Sequence, residues 1–159
     1  MNPIIIAIDP GASGGIVVQY ETGDINPIAM PATGGDIVEF LEAVRQHATL
    51  DGLRVVACVE QVGGYVGGAG QPGSAMFKFG QNYGFLLGAL AAFRIPVKLV
   101  RPQAWQQFHS LGTVKGHGGK GPWKRHLKDS AQRLYPDQVV TLSTADALLI
   151  LSYAQKNLS

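Results

Sequence analysis

Apolar residues fall along the chain in short runs whose period changes from two to about 3.6. Pro3–Asp9 is an isoleucine-rich run closed by Pro10-Gly11, which predicts a buried strand ending on a turn. Gly15–Tyr20 predicts a second strand, and Glu21-Thr-Gly-Asp24 a hairpin turn into a third over Ile25–Met30. Three consecutive strands with short connections form an antiparallel meander. From Gly35 to His47 the apolar residues stand at 37, 38, 40, 41 and 44, the spacing of an amphipathic helix. Arg54–Glu60 is a further buried strand, and after a helix it returns most simply parallel to a strand already in the sheet.

Residues 63–73, GGYVGGAGQPG, have no regular pattern and predict a mobile glycine loop carrying one aromatic, Tyr65. Ser74 is the expected N-cap of a helix running to Phe93. Gly80, Gly84 and Gly88 share one face of it. Each weakens the helix by about 1 kcal/mol relative to alanine, so close backbone packing on that face is expected. Pro96–Val100 is a last strand, and Pro102 opens a short helix at its first position. Gly112–Gly121 reads as a flexible basic loop, followed by helices over Trp123–Tyr135 and Thr144–Asn157. His47 and His126 fall on helix surfaces. With no repeat and no linker, the pattern predicts one α/β domain over residues 1–159, with a mixed sheet of about five strands.

Composition narrows the class. Of 159 residues, 46% are apolar and 15% charged, which excludes global disorder. The 21 glycines follow no triplet period, which excludes collagen. The longest apolar run, Phe85–Phe93, is far short of the roughly 18 residues of a membrane span. The first residues lack the pattern of a signal peptide. The lone Cys58, inside an apolar run, reads as a buried thiol in a reducing, cytoplasmic compartment. Charge is segregated: residues 1–93 hold three Lys/Arg against eight Asp/Glu, and residues 94–159 hold ten against three. No acidic residue occurs between Glu60 and Asp129, a stretch with nine basic ones. That is the mark of a polyanion-binding face, or equally of a solvated basic surface. Charge alone does not separate DNA from RNA or a phosphorylated small molecule; the residues singled out for contact with such a polyanion are Lys78, Arg101, Lys115, Lys120, Lys124, Arg125 and Lys128, with Tyr65 as the aromatic of the glycine loop.

Asp9 and Glu60 each end a buried strand. If those strands are parallel neighbours, both carboxylates emerge at one edge of the sheet, where they repel unless hard divalent cations such as Mg²⁺ join them. Asp9 is also good turn chemistry in Asp-Pro-Gly, and Glu60 also suits a strand end reaching solvent. Asp146 is a third candidate ligand at the start of the last helix, although Ser143-Thr-Ala-Asp146 fits a capping box as well. The chain contains no phosphate-binding P-loop sequence, no histidine–cysteine spacing for zinc and no serine-hydrolase elbow.

Taken in order, these pieces resemble the RuvC family of Holliday junction resolvases, especially its short phage-type members. The matching segments are Ile4-Ile-Ile-Ala-Ile-Asp-Pro-Gly-Ala-Ser-Gly-Gly15, Val59-Glu-Gln-Val62 and Ser74–Gly80 with Gly84 and Gly88. Val100-Arg-Pro-Gln-Ala-Trp105, Lys124 and Ala145-Asp-Ala-Leu-Leu149 complete the series. The resemblance implies a ribonuclease H-like fold, with a five-stranded mixed sheet whose first three strands are antiparallel, flanked by helices. It implies a homodimer that cuts four-way DNA junctions by paired symmetric nicks with Mg²⁺ or Mn²⁺, two ions per site. By position, Asp9, Glu60 and Asp146 become metal ligands, and Lys124 contacts phosphate or stabilises the transition state. One departure is Ser143, which stands where bacterial members carry a fourth acidic or histidine ligand.

The leading expectation is therefore a Mg²⁺-dependent endodeoxyribonuclease in the cytoplasm of a bacterial or phage-infected cell, with no membrane and no nucleotide partner. The alternative drawn from Ser143 is a junction-binding module of the same fold that has lost catalysis. An actin-like ATPase shares a glycine-rich first hairpin but needs two such domains around its nucleotide, more than 159 residues supply.

Overall fold

The computed structural model describes residues 2–63 and 73–158. The strands are β1 (Ile4–Asp9), β2 (Gly15–Gln19), β3 (Ile25–Ala29), β4 (Val55–Glu60) and β5 (Val97–Val100). The helices are α1 (Gly34–Leu50), α2 (Gly73–Ala92), α3 (Pro102–Phe108), α4 (Lys120–Leu134) and α5 (Ala145–Asn157). The sheet order is β3-β2-β1-β4-β5. β1 pairs antiparallel with β2, β2 antiparallel with β3, and β4 runs parallel to both β1 and β5. This is the mixed five-stranded sheet that the sequence pattern predicts, with the antiparallel first three strands that the resemblance implies. Pro27, which cannot donate to a ladder, stands on the edge strand β3.

Strand alternation divides the core in two. Ile4, Ile6, Ile8, Ile16, Val18 and Val59 face α1 and α2, while Ile5, Ala7, Val17 and Cys58 face α3, α4 and α5. Helix α5 is buried on almost every side from Ala145 to Leu151, as an all-round apolar helix must be. Cys58 is buried and unpaired, and burial pushes its thiol up to about 11, so it is the inert thiol expected. No described helix is long and apolar enough to cross a membrane.

Four local expectations need correction. Helix α2 starts at Gly73, so Ser74 lies inside its first turn rather than capping it. Gly80, Gly84 and Gly88 meet nothing within 4 Å of a built Cβ, so the close packing expected there is absent among the described residues. The loop at 112–121 is partly helical, because α4 begins at Lys120. His117 pins its remainder: Nε2 lies 2.8 Å from the Leu111 carbonyl, and the ring stacks on His126 with centroids 4.0 Å apart. His126 is accordingly half-buried, with Nε2 enclosed, rather than a free surface residue.

Candidate active site

The parallel register Ile8↔Val59 sets Asp9 beside Glu60 at the carboxyl ends of β1 and β4. By alternation both belong to the face of Ala7 and Cys58, the face covered by α5. The first turn of α5 carries Asp146, 8% exposed. Three carboxylates thus approach one another in a largely dry corner, and Asp9 and Glu60 have raised pKa values there. Burial, then the charge of Asp146, lifts Asp9 to about 6, against the opposing pull of the Gly11 amide and Lys124. Burial, then the charge of Asp9, lifts Glu60 to about 7. The Trp105 indole opposes this by donating to Glu60 Oε2 at 2.8 Å.

Glycines allow this crowding. A Cβ on Gly14 would meet the Asp9 carbonyl oxygen and would lie 2.7 Å from Asp9 Cγ and 2.8 Å from Oδ2. A Cβ on Gly15 would lie 2.6 Å from the Ser143 carbonyl oxygen and 2.7 Å from that of Ile28. Gly14 therefore seats the Asp9 carboxylate against the β1–β2 turn, and Gly15 lets the lead-in to α5 close onto β2. The Gly11 amide, 3.3 Å from Asp9 Oδ1, holds the carboxylate's other oxygen. Sequence reading takes Gly15 as the start of the second strand and assigns Gly14 no role of its own. It also misses Trp105, which is 1% exposed and is placed under Glu60 by the proline-started helix α3.

Lys124, from the second turn of α4, donates to Asp146 Oδ2 at 2.8 Å. Desolvation alone would lower the ammonium's pKa. Asp146, through charge and hydrogen bond, and then Asp9 and Glu60 outweigh it and hold the pKa above its ordinary value. The capping box does not form. Thr144 occupies the N-cap without a side-chain cap bond, its hydroxyl pairing with Thr141 instead. Ser143 is half-buried and brings its carbonyl, as noted, against Gly15.

Asp146 Oδ1 is buried with no hydrogen-bond partner, an orphaned hard donor beside two carboxyls whose pKa values are raised by burial first and by neighbouring carboxylate charge second. An oxygen-only donor set of this kind fits Mg²⁺ or Mn²⁺, and Asp9, Glu60 and Asp146 are the residues that would hold it. The three are not drawn in around one point. Among the described residues, the one set of three ligand atoms within 4.8 Å of one another is Glu21, His47 and Asp51. There the two imidazole nitrogens face Glu21 at 3.2 Å and Asp51 at 3.5 Å, an ion-pair cluster around one ring.

Lys120, Lys124 and Lys128 recur every four residues on α4, with Arg125 exposed beside them. Arg101 follows the end of β5 next to Glu60, and Lys115 is exposed in the turn before α4. Lys78 is exposed on α2. Tyr65 lies outside the described residues. Arg94, before β5, lies at the opposite end of the sheet, and Lys98, paired with Cys58 midway along β4, lines the same separate cleft. The basic segment is therefore two surfaces rather than one.

No protein-family model matches the sequence, and no curated protein matches it. Solved structures do match in fold. RuvC from T. thermophilus in complex with a Holliday junction substrate superposes with a TM-score of 0.58, at 16% identity over 98% of this chain and 96% of that one. A Thermus thermophilus RuvC structure matches with a TM-score of 0.51, at 17% identity over 97% and 96% of the two chains. The chain has a RuvC-like fold.

Proposed function

We propose that the chain is a metal-dependent endodeoxyribonuclease that resolves four-way DNA junctions by paired nicks. The observation that carries this is the three-carboxylate corner at the ends of β1, β4 and α5, with Lys124 inserted into it, on a RuvC-like fold. When bound, Mg²⁺ (or Mn²⁺), in our reading as a pair of ions, supplies activation of water and stabilisation of the leaving oxygen. Asp9, Glu60 and Asp146 hold that charge. The Gly11 amide and the Trp105 indole keep the Asp9 and Glu60 oxygens oriented before substrate arrives. Lys124 guards Asp146 in the free protein and turns its ammonium to the scissile phosphate in the complex. Lys120, Arg125, Lys128, Lys115, Arg101 and Lys78 neutralise flanking phosphates, and Tyr65 stacks on a splayed base.

Two cuts on a twofold junction call for two such sites. The exposed face of α2, with Phe77 69% and Phe85 45% exposed and its glycines uncovered, supports a C₂ homodimer built on that helix. The protein acts in the cytoplasm of a bacterium or phage-infected cell in this reading.

The test is nicking of a synthetic four-way junction with and without Mg²⁺, beside linear duplex. Asp9→Asn should leave junction binding intact or tighter and cut at less than about a tenth of the wild-type rate, because a lost ligand costs several kcal/mol of charge stabilisation. A second reading is a junction-binding module without catalysis, favoured by Ser143 in place of a fourth ligand. Tight junction binding with no Mg²⁺-dependent cut by the wild type would select it.

A further inference from the structure

At the end of the sheet opposite the carboxylates, a cleft of about 560 Å³ opens where β4 and β5 begin. Its lining includes Arg45 from α1, Arg54 from the turn into β4, Arg94 from the turn into β5, and Lys98 on β5. Val55 and Pro96 contribute apolar surface. No carboxylate lines it among the described residues, and none of these four cations has an ion pair there. Glu42, one turn before Arg45, lines the neighbouring depression but does not pair with it.

These cations come from four separate segments, so no helical or strand period brings them together; the fold does. Like charges gathered without counter-charge repel, and Arg45 is also half-buried without an acid to offset its desolvation. Arg94 adds a second anomaly. Its φ of 55° is the left-handed conformation in which glycine normally ends a helix, and a side chain with a Cβ is disfavoured there. An arginine held in that conformation, on the rim of a cleft already lined by three other cations, points to an anion.

We propose that this cleft is a second phosphate-binding site, which takes backbone phosphates of a nucleic-acid segment other than the one at the carboxylates. Three of its four cations are arginines, whose planar forks match phosphate oxygens in pairs, and the apolar floor suits a sugar. Six strand steps from Arg54 to Glu60, at roughly 3.3 Å each, put Arg54 and the neighbouring Arg94 about 20 Å from the carboxylates, with Lys98, opposite Cys58, between them. A phosphate held at the carboxylates is too far away to reach Arg54 and Arg94 as well, so the cleft takes other phosphates, in our proposal those of a second arm or a neighbouring duplex. The inference stands on charge and shape at this end of the molecule and does not depend on catalysis at the other.

The experiment measures binding of a short fluorescent duplex in EDTA, by anisotropy, between about 50 and 200 mM salt. The wild type is compared with the triple variant Arg54→Gln, Arg94→Gln, Lys98→Gln, and with a charge-conserving Arg54→Lys, Arg94→Lys variant. The triple variant should bind about tenfold more weakly at the lower salt, with its log–log salt slope reduced by up to about 2.7, roughly 0.9 per lost phosphate. The charge-conserving variant should keep most of the slope. On the wild type, duplex titration should shift backbone amide resonances of residues 53–55 and 94–98 as well as those near α4, a readout that needs no variant. An unchanged slope in a folded triple variant, or shifts confined to residues 101–128, overturns the proposal. So does a polyglutamate peptide that shifts residues 53–55 and 94–98 where duplex does not, since the site would then take an acidic protein. Loss of nicking in Asp9→Asn leaves all of these outcomes unmoved, so failure of the nuclease reading and failure of this one are distinguishable.

Discussion

Replacing Glu60 by glutamine should stabilise the metal-free protein at alkaline pH and change nothing in acid. Glutamine keeps an oxygen to accept from the Trp105 indole Nε1, now 2.8 Å from Oε2, so the substitution removes charge and little else. Glu60 titrates at about 7 in the fold against 4.5 ordinarily, so the native state binds more protons than the unfolded one across that window. Stability therefore falls as pH rises from about 4.5 through about 7, and the whole penalty is present above 7. The two values correspond to about 3 kcal/mol, which for a chain of this size is roughly 6–12 °C in melting temperature. Part of that figure is shared with Asp9, because the neighbours titrate as a pair. The assay is thermal unfolding in EDTA, wild type against Glu60→Gln, at about pH 4 and about pH 8. The melting curves should coincide at the lower pH and separate at the higher, with the variant more stable. Added Mg²⁺ should then raise the wild type and leave the variant nearly where it was. Curves that coincide at both values, or a variant that melts lower at about pH 8, would refute the crowded-carboxylate account.

Gly14→Ala should lower stability by about 1–3 kcal/mol through overpacking, read by denaturant unfolding, and should cost nicking activity by displacing Asp9. Gly84→Ala, by contrast, has open space around it and should raise monomer stability by up to about 1 kcal/mol. If α2 is the dimer face, sedimentation of that variant at micromolar concentration should show weaker self-association. Tyr65→Ala should weaken junction binding by about 1–3 kcal/mol and leave binding to linear duplex unchanged, measured by anisotropy on the two substrates.

The sheet was legible because each strand announces itself twice, by an apolar run and by a turn or an acid at its end. Asp9 and Glu60 follow directly, since a parallel return of β4 next to β1 makes them neighbours. Asp146 was recognisable by position but not by contact. Ser143-Thr-Ala-Asp146 has the local chemistry of a cap, and only the tertiary approach of Lys124 draws the carboxylate away. Local sequence also cannot reveal that Gly15 is required by the carbonyl oxygens of Ile28 and Ser143, or that Gly14 makes room for the Asp9 carboxylate. The glycine-rich segment before α4 failed in the other direction. Glycine suggested mobility, yet Gly112, Gly118 and Gly119 take positive φ in a turn fastened by His117. The count of charges along the chain found a basic segment but could not show that the turn before β5 sets Arg94 at the far end of the sheet, away from α4.

Helix α5 has a consequence for time as well as place. It is packed against β1, β2 and β4 on one side and α3 and α4 on the other, with Ala147 through Leu151 fully enclosed. An element so enclosed opens only when the whole domain opens, so Asp146 sits at the slow end of the molecule's internal motions. Lys124 is on the half-exposed side of α4, where a side chain reorients in nanoseconds. The carboxylate corner thus joins a fixed acid to a fast cation. On the proposed reading, a phosphate need only draw away the lysine, while Asp146 stays where the enclosed helix holds it.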